Sequence, residues 1–393
     1  MQPETASPSP TENIQPVRFL TTDDRLANPA PGVALCLSGG GYRAMLFHLG
    51  ALWRLNDAGL LRGLVRVSSV SGGSITAGML GLKWRQLQFD GNNIATNLDA
   101  LVINPIRRLA DDTIDQASIV WGILLPRRTI ADEIAAAYRK HLFGNATLQD
   151  LPSDNEGPRF VINATNVQDN VLWRFSKPFM GDYRVGLIRN PTLDLAVAVG
   201  ASSAFPPFLS PVVLKLNPAD FDPSTKGDLQ SEPYTSEVVL TDGGVYDNLG
   251  LETAWKAYET ILVSDGGGGS SDEPRPKREW LEHVYRVLNL LDTQVRSLRK
   301  RQIIGSYQLG LRKGTYWGIR TNISDYNLAT AMDCPFEKTM LLANTPTRLK
   351  ALDGSLQERI INWGFAVCDA AIRTHLNPAL PTPNAFPYPG VGV

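Results

Sequence analysis

The apolar residues of this chain alternate between short continuous runs and longer segments in which they recur every three or four positions. Runs at 33–38 and 65–69 predict buried strands, because continuous apolar segments of this length are typical of strands inside a sheet. Each run is followed by helical spacing, over 42–58 and 72–82. The order strand, helix, strand, helix predicts a mainly parallel sheet with helices on both faces.

Similar patterns continue through the rest of the chain. Further strands are predicted at 160–165, 171–176, 238–241, 261–264 and 317–319, and further helices at 129–142, 193–201, 277–304 and 355–375. The helix at 277–304 has the longest amphipathic pattern. The stretch 210–236, which holds several prolines and charges, predicts an insertion loop.

Proline-rich polar segments predict where the folded part begins and ends. Residues 1–30 predict a flexible arm, and residues 377–393 predict an extended tail. The length of 393 residues allows two domains or one large α/β domain with insertions. We expect one domain over 31–376, with a motif-bearing core at 33–265 and a helical extension at 277–376.

The composition limits the classes of function. Hydrophobic residues make up 43% and charged residues 20% of the chain, which is typical of a globular protein with a sizeable core. The formal net charge is −1, so no overall charge attracts nucleic acid, and we expect no nucleic-acid partner.

Cysteine usage and the N-terminal sequence bear on the compartment. Cys36, Cys334 and Cys368 lack the spacing of a metal site or a disulfide framework, so each is expected to be a buried packing residue in a reducing environment. The first residues lack the basic and apolar regions of a secretory signal, and no apolar run is long enough to span a bilayer. We therefore expect a cytoplasmic, bacterial protein whose contact with membranes is peripheral.

Two glycine-rich turns carry the candidate chemistry. One occupies residues 38–44 (SGGGYRA) and the other residues 68–74 (SSVSGGS); each joins a predicted strand to a predicted helix. A helix that starts directly after glycine presents unpaired N–H groups and the positive end of its dipole, which favour negative charge. Two such turns at one sheet edge predict an anion cradle beside an exposed nucleophile.

Ser71 is the candidate nucleophile. The segment 69–73 (SVSGG) approximates the nucleophile elbow G-x-S-x-G, with Ser69 in the place of the first glycine. Small residues are needed there because the elbow backbone is strained and crowded by neighbouring turns. The alternative is that Ser71 is only the N-cap of the following helix.

Gly39, Gly40 and Gly41 are the candidate oxyanion donors, because glycine permits positive φ and leaves backbone N–H groups uncovered. The alternative is a dinucleotide site, since Gly39, Gly41 and Ala44 fit the pattern G-x-G-x-x-G/A. That fingerprint expects an acidic residue at the end of the second strand, where this chain has serines such as Ser69.

The base for Ser71 is less well determined. Asp242 and Asp265 both end a predicted strand and precede glycines, and sequence physics alone prefers neither. Either carboxyl group needs a raised pKa to act as a base near neutral pH. The four histidines, His48, His141, His283 and His375, lie in or near predicted helices and are expected to be structural or solvated. The sequence therefore favours a serine–aspartate dyad without histidine.

Four ordered motifs resemble the patatin-like phospholipase family, which is similar to the catalytic domains of cytosolic group IV phospholipase A2. The motifs are SGGGYRA at 38–44, SVSGG at 69–73, ASSAFPPF at 201–208 and DGGVYDN at 242–248. The resemblance implies a three-layer α/β/α fold with a nucleophile elbow, a Ser71–Asp242 dyad and an oxyanion hole at 39–41. It prefers Asp242 to Asp265, because only Asp242 is followed by the VYDN continuation.

The resemblance implies a lipid acyl hydrolase that forms an acyl-serine intermediate and needs no metal or organic cofactor. Arg43 is a candidate for binding a substrate phosphate, since its planar fork suits that group. A basic cluster at 296–301 is a candidate for transient contact with anionic headgroups, and a solvated helix face is the alternative. Two rival functions remain: a nucleotide-binding oxidoreductase, and a catalytically silent lipid-binding or effector module.

Overall fold

A mixed ten-stranded sheet forms the centre of the computed structural model, which describes residues 29–114, 130–207, 209–269 and 272–393. The strands are β1 Ala30–Leu37, β2 Leu64–Ser69, β3 Arg159–Asn166, β4 Val171–Phe175, β5 Phe179–Asp182, β6 Gly186–Arg189, β7 Val212–Lys215, β8 Glu237–Asp242, β9 Tyr258–Asp265 and β10 Lys313–Gly318. The α-helices are α1 Gly41–Asp57, α2 Gly72–Lys83, α3 Asn104–Ala110, α4 Ile130–Tyr138, α5 Leu195–Ser202, α6 Gly244–Asp247, α7 Glu252–Trp255, α8 Trp280–Gln308, α9 Phe336–Ala343 and α10 Gly354–His375. Nearly all of the predicted arm 1–30, and Phe208 of the third motif, lie outside the described residues.

The sheet has a parallel part and an antiparallel part. Strands β10, β9, β1, β2 and β3 lie side by side and run parallel. Beyond β3 the sheet continues with antiparallel β4, β5 and β6, while β8 pairs antiparallel with both β3 and β7. The predicted α/β fold with parallel central strands is confirmed. The prediction of a loop throughout 210–236 is wrong at β7, a short strand whose pairing with β8 depends on tertiary contact.

Both faces of the sheet are covered, as the alternation of side chains in β1 shows. Leu35 and Leu37 belong to the apolar cluster that contains α1, α2 and α10. Ala34 and Cys36 belong to a second cluster that contains α7 and Ile303 of α8. All three cysteines are buried and free of disulfides, as their spacing predicts.

The C-terminal helix α10 packs closely against α1. A Cβ atom at Gly50 would lie 1.9 Å from the carbonyl oxygen of Ile361, and one at Gly364 would lie 2.0 Å from that of Phe47. Only glycine permits this approach of the two helix backbones. The proline-rich tail then folds back onto α10, where Asn362 donates hydrogen bonds to the carbonyl groups of Tyr388 and Gly392.

Strands β2 and β8 meet end to end along one side of β3. Ser69, the last residue of β2, pairs with Ile162 of β3, and Asp242, the last residue of β8, pairs with Ala164. Because β2 is parallel and β8 antiparallel to β3, their carboxyl ends face each other with only Asn163 of β3 between them. This register brings the two motifs that follow these strands to one point.

Candidate active site

Ser71 lies at the sharp turn between β2 and α2. Its backbone has φ 52° and ψ −121°, a conformation that non-glycine residues rarely adopt. The next two residues are pressed against the first glycine turn: a Cβ at Gly72 would lie 2.2 Å from the carbonyl oxygen of Gly41, and one at Gly73 would lie 2.4 Å from that of Leu37. This is the strained, glycine-dependent backbone that a nucleophile elbow requires.

Ser69, which replaces the usual elbow glycine, begins a chain of buried hydroxyl groups. Ser74 Oγ donates to Ser69 Oγ at 3.0 Å and lies 2.9 Å from Ser202 Oγ. Ser202 Oγ also accepts the backbone N–H of Ser71 at 2.9 Å. The serine substitution is therefore accommodated within a polar network that fixes the backbone of Ser71, a role for Ser74 and Ser202 that the sequence analysis missed.

Asp242 is the carboxylate beside Ser71. Its side chain is buried, it accepts the Gly244 N–H at 2.7 Å, and the Ser71 hydroxyl lies near enough to oppose the rise in its pKa. Burial raises the pKa of Asp242 to about 7, and the nearby charge of Asp292 adds to this rise. The raised pKa gives the carboxylate the proton affinity that a base near neutral pH needs.

Asp265, the alternative base, is bound elsewhere in the sheet. It ends β9, which is separated from β2 by β1. Its carboxylate accepts hydrogen bonds from the Tyr316 hydroxyl at 2.7 Å and the Gly267 N–H at 2.9 Å, and Arg296 lies 3.9 Å away. The fold therefore places Asp242, and not Asp265, next to the elbow.

The glycine turn at 39–41 packs directly on the elbow. Gly40 and Gly41 have φ values of 144° and 60°, which favour glycine. The N–H of Gly39 is already used, since it donates to both the backbone and the side-chain oxygen of Asn248 at 3.0 Å each. Within the described residues, the N–H groups of Gly40, Gly41 and Gly72 have no hydrogen-bond partner.

Asp292 of the long helix α8 is linked to this glycine turn by hydrogen bonds through Asn248. The Asn248 amide donates to Asp292 at 2.9 Å, which leaves its oxygen directed at Gly39. Burial raises the pKa of Asp292 to about 6, against the opposing effect of Arg296. No local pattern indicates Asp292, because its contact depends on how α8 lies against the DGG motif.

Arg43 is buried instead of being open to a substrate phosphate. Its side chain donates from Nε to the carbonyl oxygen of Gly266 at 3.2 Å and from Nη1 to that of Thr345, while Nη2 has no partner among the described residues. Burial lowers the pKa of Arg43 to about 10, and the neighbouring charge of Arg296 lowers it further. The guanidinium therefore places buried positive charge behind the glycine turn.

Of the four histidines, His48 lies in the core, whereas His283 and His375 are exposed. His48 is buried, with its ring nitrogens 2.8 Å from Ser264 Oγ and 2.9 Å from the carbonyl oxygen of Ser38, and burial lowers its pKa to about 4. His141 lies 3.1 Å from Asp112. None of the hydrogen bonds of Ser71 or Asp242 in the described residues involves a histidine.

The described residues were also examined for groups that could bind a metal ion and for helices that could span a membrane. Over the described ranges, no three or more His, Cys, Asp or Glu side chains are grouped so as to hold a metal ion. None of the helices that the structure describes combines the length and the apolar composition needed to cross a membrane.

Comparison with known proteins decides the family. A family model described as patatin-like phospholipase matches residues 35–255, which is more than half of the chain. The chain belongs to the patatin-like phospholipase family. The matched region begins in β1 and ends in α7, so it contains both glycine turns and the DGG motif of this patatin-like chain.

The solved structures that the chain matches include human and bacterial proteins. A human GIVD cytosolic phospholipase A2 in complex with methyl gamma-linolenyl fluorophosphonate shares 14% identity, with 92% of this chain and 60% of that chain covered and a TM-score of 0.49. A second structure of the human protein shares 15% identity over 63% of this chain and 49% of that chain, with a TM-score of 0.40. VipD from Legionella pneumophila shares 15% identity over 81% of this chain and 68% of that chain, with a TM-score of 0.30. The patatin-like chain thus spans about half the length of the human structures that it matches, and a search of the curated proteins finds no match.

Proposed function

We propose that this chain hydrolyses fatty-acyl esters of lipids, with Ser71 as the nucleophile and Asp242 as its base. The observation that carries the proposal is the meeting of the carboxyl ends of β2 and β8, which brings Ser71 next to the buried carboxyl group of Asp242, whose pKa is raised to about 7. Membership of the patatin-like phospholipase family supports a lipid ester as the substrate. The proposed chemistry requires no metal and no organic cofactor, and residues 31–376 are proposed to form the hydrolase unit.

In the first half-reaction, Asp242 takes the hydroxyl proton of Ser71 as Oγ attacks the ester carbonyl carbon. The carbonyl π electrons move to oxygen and give a tetrahedral oxyanion. When this intermediate collapses, the C–O bond to the alcohol breaks and protonated Asp242 gives its proton to the leaving oxygen. The products are the free alcohol, such as a lysolipid, and an acyl group bound to Ser71.

In the second half-reaction, water replaces the alcohol. Asp242 takes a proton from water as the water oxygen attacks the acyl carbon. Collapse of the second oxyanion breaks the bond to Ser71 Oγ, which recovers the proton from Asp242. The fatty acid leaves, and the two side chains return to their starting protonation states.

We assign the oxyanion site to the N–H groups of Gly40, Gly41 and Gly72. These three groups are without a partner in the described residues, whereas the N–H of Gly39 is held by Asn248. Donors of this kind typically contribute roughly 10²–10³ in rate each. Gly39 then shapes the turn, and Arg43 contributes positive charge from behind it, with no direct hydrogen bond to substrate required.

The oxidoreductase alternative lacks support at the glycine turn. A dinucleotide needs its pyrophosphate on that turn and an acidic residue at the end of the second strand. In this fold the elbow packs on the turn through Gly72, and β2 ends in the buried Ser69. The other alternative, a catalytically silent module, differs from the proposed hydrolase in that a fluorophosphonate probe would not label it.

A fluorophosphonate probe tests the proposal directly, because it labels only an activated serine. We expect labelling of the wild-type chain and none of Ser71→Ala, with hydrolysis of a lipid ester lowered at least about 10³-fold in Ser71→Ala and Asp242→Asn. His283→Ala and His375→Ala are matched controls that retain activity within about twofold, since neither side chain enters the proposed steps. Unlabelled wild-type protein, or full activity in Asp242→Asn, refutes the dyad, and NAD(P) binding without labelling favours the oxidoreductase.

A further inference from the structure

Helix α8 carries a heptad pattern on the side that faces away from the body of the protein. From residue 280 to residue 298, uncharged side chains recur at alternating spacings of four and three residues. This average spacing of 3.5 residues keeps one line of side chains in contact when a helix packs along another helix. The line, called here the α8 seam, consists of Trp280, Val284, Val287, Leu291, Gln294 and Leu298, and all six are exposed.

The opposite side of α8 holds the helix on the body of the protein. Asp292 accepts the hydrogen bond of Asn248 at 2.9 Å, and both Arg296 and Ile303 are buried. Before these contacts, at the N-terminal end of the helix, Trp280 is 75% exposed. The α8 seam is thus directed outward over its whole length, which is about 27 Å at 1.5 Å per residue.

The exposed apolar area on this side of α8 has the size of a specific interface. Two residues beside the seam, Leu281 and Leu290, are 72% and 51% exposed. With the large apolar residues of the seam they present on the order of 700 Å² to water, whereas the largest apolar patch of a typical monomer is about 300–600 Å². Each partner in a standard interface buries about 800 Å². The face therefore matches one half of a dimer interface.

The positions beside the seam are also uncharged. Between residues 280 and 298 they are Leu281, His283, Leu288, Leu290, Val295 and Ser297, so this side of the helix holds no Asp, Glu, Lys or Arg. The charged residues of the stretch lie on its other sides, where Arg286 is 3.7 Å from Glu273 and Arg296 is 3.9 Å from Asp265. A helix that lies on an anionic membrane has basic residues beside its apolar face. A narrow, uncharged seam with heptad spacing instead suits a second helix of the same kind.

We propose that two copies of this chain form a dimer by packing their α8 seams against each other in antiparallel orientation. The seam is self-complementary about residue 289, which a two-fold symmetric interface requires. Each seam residue then meets a different residue of the other copy: Val287 meets Leu291, Val284 meets Gln294, and Trp280 meets Leu298. A parallel pair would continue to Arg301, the next position of the repeat, and would bring two like charges together.

Sedimentation velocity of the full chain tests the dimer. We expect the wild-type chain to sediment as a dimer at micromolar concentration. Leu291→Glu should raise the dissociation constant at least about 100-fold, because two carboxylates per dimer would be buried without partners. Leu341→Glu on α9 is the matched control, since Leu341 is 69% exposed and lies outside the seam. It should dimerise as the wild type does.

A mixture of two variants tests the orientation. Val287→Lys alone should also weaken the dimer, because it places two ammonium groups in the contact. When Leu291→Glu and Val287→Lys are mixed in equal amounts, antiparallel pairing sets the introduced carboxylate opposite the introduced ammonium group, and the other layer keeps its native pair. The mixture should therefore sediment as a dimer. Parallel pairing does not place the two introduced groups in one layer, so it gives no such recovery.

Four outcomes overturn the proposal. The wild-type chain may remain a monomer well above micromolar concentration, or be a monomer that sediments with phospholipid vesicles through this face. Leu291→Glu and Leu341→Glu may weaken the dimer equally, or the mixture may stay monomeric. Unchanged far-ultraviolet circular dichroism is expected for each variant, since the substituted side chains are exposed in the single chain. Because these measurements report mass and not catalysis, their result is independent of the proposed hydrolase activity.

Discussion

Asn248 holds Gly39 by accepting its backbone N–H on the side-chain oxygen at 3.0 Å, and Asp292 sets the orientation of that amide from the other side at 2.9 Å. The N–H of Gly39, the first glycine of the predicted oxyanion turn, is thus already bonded, whereas those of Gly40 and Gly41 have no partner in the part of the chain that the structure describes. Asp292 of α8 also acts on the proposed catalytic base, because its negative charge raises the pKa of Asp242.

This coupling predicts the pH dependence of activity. Under the proposed chemistry, Asp242 acts as a base only when ionised, so we expect activity above its pKa of about 7 and its loss as the pH falls through that value. The negative charge of Asp292 raises that pKa, so Asp292→Asn should shift the acidic limb of kcat/KM to lower pH. A pH–rate profile checks this, and an unchanged or upward-shifted limb contradicts it.

A second prediction concerns the pH dependence of stability. Because burial raises the pKa of Asp242 above its unfolded value, the folded state binds the extra proton between about pH 4 and pH 7. The contribution of this group to stability is therefore present at low pH and falls as the pH rises through that window, by roughly 4 kcal/mol in all. Asp242→Asn should remove this loss, so urea unfolding at pH 8 should show the variant more stable relative to wild type than at pH 4.

The backbone at the elbow predicts a difference between two inactive variants. Ser71 has a φ of 52°, which strains any residue with a Cβ atom. Ser71→Gly should therefore unfold with a free energy about 1 kcal/mol higher than Ser71→Ala, since strain relief exceeds the entropy that glycine gains in the unfolded chain. Chemical denaturation compares the two directly, and equal stabilities would show that the turn is unstrained.

The hydroxyl chain behind the elbow predicts a role for Ser202. Ser202→Ala leaves the N–H of Ser71 without its acceptor, which should cost about 1–3 kcal/mol of stability and lower kcat about tenfold through misplacement of Ser71. Ser203→Ala is the matched control, because the Ser203 hydroxyl donates to the carbonyl oxygen of Val199 and interacts with the Tyr138 hydroxyl, and neither partner is Ser71. Equal effects of the two substitutions on kcat would remove Ser202 from the positioning of Ser71.

Local pattern predicted the elements that carry the candidate residues. The runs predicted at 33–38 and 65–69 correspond to β1 and β2, and Asp242 ends β8 as its glycine-flanked position predicts. These features follow from chain-local physics, since an apolar run, a glycine turn and a helix start are each encoded within about ten residues. Which strand end approaches Ser71 is a matter of sheet order, which no local pattern contains.

The features that the sequence did not predict all depend on contacts between residues that are far apart in the chain. Periodicity correctly predicted an apolar face on the helix at 277–304, but a 3.6-residue repeat does not indicate what covers that face, and here it is exposed at Leu281 and Leu291. Asp292 and Ser202 act through contacts with residues far away in the sequence, so their neighbours in the chain give no sign of them.

The meeting of β2 and β8 beside β3 has a consequence for the newly made chain. A nascent polypeptide exposes Ser71 long before residue 242 leaves the ribosome, and the two strand ends align only when β2 and β8 both pair with β3. Under the proposed chemistry, an incomplete translation product carries a harmless alcohol, and the capacity to degrade the cell's own membranes arises only with the finished fold.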